Sequence, residues 1–230
     1  MRKNAGFTLI ELMIVIAIIA IIALIAIPNL LSSRLVANET STIGTLRSLS
    51  SAEAEFQARQ IVDQDTDGLG EYGFLVELAG AVVPRGAAQK LDPPSISQAL
   101  GNVDANGLVT KSGYTFIFWL PGGNGTPIQE PAVGVVPAAV AANANVQECR
   151  WCCYAVPTTV RNTGNRAFVI NQQADVYASP NTGVQNYDIT NLPAAMAAFE
   201  TTAPAPTNLT GKFAVGVGAA QDGGTWTPAS

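Results

Sequence analysis

Gly6-Phe7-Thr8-Leu9-Ile10-Glu11-Leu12 opens a segment with no charge for the 22 residues from Leu12 to Ser33, wholly apolar from Leu12 to Ile27. About 20 such residues in a helix cross a hydrocarbon core. Arg2 and Lys3 precede it, and the positive-inside tendency keeps them cytoplasmic while the C-terminal bulk goes outward. A secretory signal has an apolar region of only about 7–15 residues and ends at an A-x-A-like site. Here Ala17, Ala20, Ala23 and Ala26 recur with no A-x-A nearby, so the span reads as a retained membrane helix. Pro28 deletes a backbone hydrogen bond and crowds the preceding turn, which predicts a kink rather than an end. Beyond it, Leu35, Ile43, Leu46, Leu49 and Phe56 fall near one helical face, with Arg34, Glu39, Arg47, Glu53, Glu55 and Arg59 on the others. The helix is expected to run to about Ile61.

A short basic leader, a glycine, Phe7 after it, Glu11 four residues on and Pro28 further along resemble the type III signal of type IV pilins and pseudopilins. The resemblance covers about residues 1–60. It implies that a dedicated peptidase cuts between Gly6 and Phe7 and N-methylates Phe7. It also implies that the helix becomes the core of a filament. The expected fold is α+β: a long N-terminal membrane and spine helix packed on a small antiparallel β-sheet head with long loops. The division follows: a cleaved leader at 1–6, a helix at 7–61 with a membrane or filament-core half at 7–30 and an amphipathic half at 31–61, and a β-rich head at 62–230.

Glu11 has its own physical reading. An acid near the centre of a membrane helix costs about 3 kcal/mol on insertion scales, and such acids persist when they have a partner. No Lys or Arg lies within the span. Cleavage before Phe7 creates an α-amine about 6 Å away along the axis, by helical rise. That amine meets Glu11 on one helix, or on a neighbour shifted along the axis, which makes Glu11 a device for registering subunits. The alternative is an acid near the interface that snorkels to headgroups.

The head reads as short strands separated by turns. Tyr114 to Leu120 alternates Tyr, Phe, Phe and Leu against Thr, Ile and Trp, the pattern of a half-buried strand. Trp151 to Val156, Ala167 to Ile170, Val176 to Ala178 and Phe213 to Val217 are further strand candidates. Consecutive strands favour an antiparallel meander covered on its inner face by the amphipathic half of the helix. Pro121 to Asn145 and Thr201 to Thr210 are long loops rich in small residues and proline.

Asp63, Asp65, Asp67, Gly68 and Glu71 match positions 1, 3, 5, 6 and 9 of a calcium loop. Hard oxygens converging on one point suit Ca²⁺, the one cofactor the residues suggest. The twelfth position is Phe74, where an EF-hand needs a bidentate Glu, and Glu77 is three residues further on. The competing reading is an acidic surface turn leaving the spine. Cys149, Cys152 and Cys153 are too few for a zinc site without a recruited carboxylate, since the chain has no His. A local disulfide requires the chain to turn near Arg150; otherwise these are plain buried cysteines.

Composition narrows the function. With no His, Ser-His-Asp and Cys-His mechanisms are excluded, and no phosphate loop or nucleophile elbow is present, so no enzyme is expected. A formal charge of −5 offers no basic field for nucleic acid as a main partner. By resemblance, the expectation is a structural subunit that polymerises into a type IV pilus filament after leader cleavage and N-methylation. The alternatives are a pseudopilin of a type II secretion system and a minor pilin whose head binds a surface or ligand. The implied partners are copies of itself, the prepilin peptidase/methyltransferase, an assembly platform of pilus or secretion type, and the inner membrane before assembly. The assembled form would be an extracellular filament or a periplasmic pseudopilus.

Overall fold

The computed structural model describes residues 7–132, 135, 144–183, 185–201, 208–216 and 220–229. Its dominant element is α1 (Leu9–Ala58), a single 50-residue helix, which spans about 75 Å at helical rise. The helix continues through Pro28 without an end. It stops at Arg59, where Gln60 takes a positive φ of 51° and turns the chain toward the head.

The two halves of α1 live in different surroundings. From Phe7 to Arg34 every side chain is exposed except half-buried Ala23, so the apolar span has no protein packed on it. From Glu39 on, one stripe is buried: Glu39, Thr42, Ile43, Thr45, Leu46, Leu49, Ala52, Glu53 and Phe56. The steps of three and four residues keep this stripe on one face. Glu39 and Glu53, placed on the solvent side by their charge, belong to it; both find polar partners in the head, although Glu53 Oε1 is buried with none.

Among the described residues, seven strands form one antiparallel sheet. They are β1 (Leu108–Lys111), β2 (Tyr114–Pro121), β3 (Pro127–Gln129), β4 (Cys152–Pro157), β5 (Ala167–Asn171), β6 (Tyr177–Ser179) and β7 (Thr227–Pro228). The order is β1-β2-β4-β5-β6-β7, with β3 paired to the end of β2. This is the expected meander, since neighbours in the sheet follow one another in the chain apart from β3. The β1–β2 hairpin turns on Ser112 and Gly113, with φ of 52° and 76°. Two positive φ values fit the turn that suits strand twist in a tight hairpin. Among the described residues, three short α-helices, α2 (Leu75–Leu78), α3 (Gln98–Gly101) and α4 (Ala144–Gln147), and a 3-10 turn at Gly123–Gly125 connect these elements.

The sheet is buried on both faces, unlike the half-buried strand expected at 114–120. Phe116, Phe118, Leu120, Cys153, Ala155, Phe168 and Ile170 pack toward Leu46, Leu49 and Phe56 of α1. Ile117, Cys152, Tyr154, Val156, Ala167 and Val169 face a second core completed by Tyr187, Phe199, Leu209, Phe213 and Trp226. The C-terminal chain therefore roofs the outer face. Its polar hub is Asp222, which accepts from Tyr187 Oη (3.0 Å), Gln185 Nε2 (2.8 Å) and Trp226 Nε1 (3.2 Å). The strand expected at 213–217 is replaced, over its described residues, by isolated bridges of Phe213 to Phe199 and of Val215 and Gly216 to Trp226. This roof is a set of loops pinned by side chains, not another strand of the ladder.

Candidate functional site

The Gly6–Phe7 bond, where cleavage is expected, lies at the edge of the described residues: Gly6 is outside them, while Phe7 is 85% exposed and precedes the helix. Thr8, the N-cap, is extended (φ −81°, ψ 151°), so the helix starts only at Leu9. Glu11 closes a reciprocal capping box on Thr8. Its Oε2 accepts from the Thr8 backbone N–H (2.8 Å) and hydroxyl (2.7 Å), while the Glu11 N–H donates to Thr8 Oγ1 (3.3 Å). A capping box satisfies two otherwise orphaned donors at a helix start. The sequence spells this out as Thr8-x-x-Glu11, a capping-box spacing that is independent of any charge partner. In the single chain, Glu11 is thus held by polar contacts at its own helix end.

Where the spine meets the head, four charged side chains are buried together. Arg85 Nε lies 3.0 Å from Glu77 Oε1, and its Nη2 donates to Tyr72 O at 2.5 Å. Glu77 also accepts from the Phe74 N–H (2.8 Å), capping α2. Glu130 accepts from the N–H groups of Leu75 (2.8 Å) and Val76 (3.1 Å), and Glu53 accepts from the Gly73 N–H (3.1 Å). One arginine faces three acids. Burial pushes Glu130 up to about 8, against the opposing pull of the Val76 and Leu75 N–H groups. Burial likewise raises Glu53 well above the usual carboxylate range. This cluster links α1 and α2 to Glu130, which directly follows β3, and all four of its charged side chains are buried.

The acidic loop lies beside that junction. Ligand atoms of Asp63, Asp65 and Asp67 lie within 4.8 Å of one another. Gly68 permits the turn with φ of 90°. Asp63 Oδ2 accepts from the Gly68 N–H (3.2 Å) and Asp67 Oδ1 from the Leu69 N–H (2.8 Å). Glu71 is fully buried, and its Oε1 accepts from the backbone N–H (2.9 Å) and side-chain amide (3.3 Å) of Gln64, inside the loop. Position twelve does not follow an EF-hand: Phe74 is buried in the core, and Glu77, its stand-in, is taken by Arg85 and the α2 cap. The structure instead brings in residues far along the chain. Asn145 donates to Asp65 Oδ2 (2.7 Å), and Glu148 is buried nearby. Burial, followed by the charges of Asp67, Asp65 and Glu71, pushes the Glu148 carboxyl up from its ordinary value.

All three cysteines are free thiols. Cys152 and Cys153 are neighbours in β4 and point into opposite cores, while Cys149 is exposed before the strand. Cys152 and Cys153 do not pair with each other, because adjacent strand residues face apart. Burial also pushes both buried thiols up, away from the thiolate that reaction requires.

Among the described residues, α1 is the helix long and apolar enough to cross a membrane, and its apolar stretch has no part buried in the head. This fits a membrane-anchored precursor. No curated protein and no solved structure matches the chain. One family does match, described as the prokaryotic N-terminal methylation motif, over residues 1–27. Those residues hold the glycine, Phe7 and Glu11 discussed above and most of the exposed apolar span. The motif implies processing by prepilin peptidase. Residues 1–27 of this chain are therefore the prepilin signal shared by type IV pilins and pseudopilins.

Proposed function

We propose that this chain is a structural subunit that leaves the membrane to polymerise through α1 into a type IV pilus filament. The observation that carries this reading is the unpaired apolar half of α1, exposed along its length while the other half is fastened to a finished head. So large an apolar surface needs lipid or other apolar helices around it. A membrane satisfies it in the precursor, and neighbouring α1 helices satisfy it in a filament. Cleavage before Phe7 supplies a new cation at the end of that surface. The amine of one subunit then pairs with Glu11 of a neighbour shifted along the axis. N-methylation leaves the amine protonatable and preserves the pair.

In this reading the head supplies the outer surface of the filament. Shearing cells and examining the released material by electron microscopy and mass spectrometry tests the proposal. Filaments whose main protein begins at a methylated Phe7 are expected. Protein found only in the cell envelope, with no sheared filament, would favour the secretion pseudopilus over the surface pilus. A mature N-terminus at Pro28 or beyond would overturn both.

A further inference from the structure

Four carboxylate oxygens around the acidic loop are shielded from solvent and make no hydrogen bond: Asp63 Oδ1, Asp65 Oδ1, Glu71 Oε2 and Glu148 Oε1. Glu71 and Glu148 are the telling pair, being 0% and 8% exposed. Buried anions need compensation by a cation or by donors. The ion pairs among the described residues join Arg59 to Glu55, Arg85 to Glu77 and Arg166 to Glu39, leaving these four acids without a basic partner. A turn made only for solvent would direct its acids outward. Here two buried acids flank the Asp63–Asp67 triad without joining its close group of ligand atoms: Glu71 is tied to the loop through Gln64, and Glu148, just after α4, feels the charges of Asp67, Asp65 and Glu71.

We propose that Asp63, Asp65, Asp67, Glu71 and Glu148 form a calcium site that ties the exit of α1 to the segment leading into β4. Oxygen-only donors select a hard cation over zinc or copper. A loop of several carboxylates suits Ca²⁺, which takes six to eight oxygens in adaptable geometry, better than Mg²⁺, which demands a near-ideal octahedron and retains water. The site is not an EF-hand. The acid that an EF-hand takes from its twelfth residue comes here from Glu148, because Phe74 is committed to the core and Glu77 to Arg85. The framework already joins the two segments: Tyr72 N–H donates to Gln147 O (3.0 Å), Glu71 N–H to Val62 O (3.0 Å), and Gln57 Nε2 to Glu148 O. The cation would neutralise the acids that this framework crowds together and fix the head on its spine.

The test uses the full chain in detergent micelles, with terbium as a luminescent substitute for calcium. Tyr72 follows Glu71 and Trp151 lies close after Glu148, and their rings sit 6.3 Å apart, so both are placed to sensitise the ion. Terbium emission that calcium displaces is expected, and millimolar calcium should raise the melting temperature by about 5 °C or more over chelator. Magnesium at the same concentration should give less. Glu148→Gln should weaken calcium binding by about tenfold or more through the loss of a ligand charge. Asp67→Asn, at an exposed position of the loop, gives the same readout if the buried variant does not fold. Coincident melts in calcium and chelator without terbium emission would overturn the site. Unchanged calcium affinity in Glu148→Gln, or in Asp67→Asn if it stands in, would overturn the proposed ligand set.

Discussion

Glu39 of the spine and Arg166, just before β5, 127 residues apart, meet at 2.7 Å. The same carboxylate accepts from the backbone N–H groups of Asn165 (3.0 Å) and Arg166 (3.2 Å). Beside it, Asn38 Nδ2 donates to Thr163 O (2.8 Å). This is the point where the helix leaves its bare half and takes up the head. Glu39→Ala strands two backbone donors and a guanidinium, and should cost about 1–3 kcal/mol. Arg166→Ala should cost less, about 1 kcal/mol or below, because that side chain is more than a third exposed. Urea melts of the two variants check the order; equal losses would mean that Glu39 acts only through the ion pair.

The buried acids give the head a pH dependence of defined sign. Glu130 titrates near 8 in the fold, against about 4.3 for a free glutamate. The native state therefore holds a proton that the unfolded chain has lost. Its contribution is fully present below about pH 4.3 and is lost as pH rises through 8. Glu53 acts in the same direction. In chelator, stability should fall between pH 5 and pH 8.5 by more than about 1.4 kcal/mol, the worth of one pKa unit. Glu130→Gln gives up one acceptor at every pH but cannot ionise, so its decline should be shallower. An unchanged slope in that variant would remove Glu130 from the account.

Thiol labelling separates the cysteines. In the folded protein a maleimide should modify Cys149 alone, and unfolding should expose Cys152 and Cys153, as mass spectrometry of each form will show. Rapid modification of Cys152 in the native protein would contradict its place inside the outer core.

The spine was legible because its signal is continuous: an uncharged run, then apolar residues at helical spacing. The meander was legible from short apolar blocks separated by turns. What escaped was decided by angle and by distant contact. Glu39 and Glu53 lie at steps of three and four from Thr42, Ile43, Leu46, Leu49 and Phe56, so position put them inside although charge suggested outside. Ile117 and Val169 looked like one side of a half-open sheet, because their cover arrives from residues 187–226, far along the chain. The loop motif of Asp63, Asp65, Asp67 and Glu71 was readable, but Glu148 was not. No local spacing records a carboxylate brought in beside Asn145, whose amide reaches Asp65 across 80 residues.

The central claim is that Glu11 registers subunits through its charge. The capping box supplies the control, since Gln at this position can also reach back to the N-cap N–H. Glu11→Gln therefore keeps the helix start and eases insertion, but removes the anion that would meet a neighbour's Phe7 amine. The measurement is the amount of protein in the membrane pool and in the sheared-filament pool, for this variant and the unmodified chain. The account predicts a full membrane pool of processed protein and a filament pool reduced by about tenfold or more, the effect of losing about 1.4 kcal/mol per added subunit. Equal filament yield would contradict it and leave Glu11 as a helix cap alone.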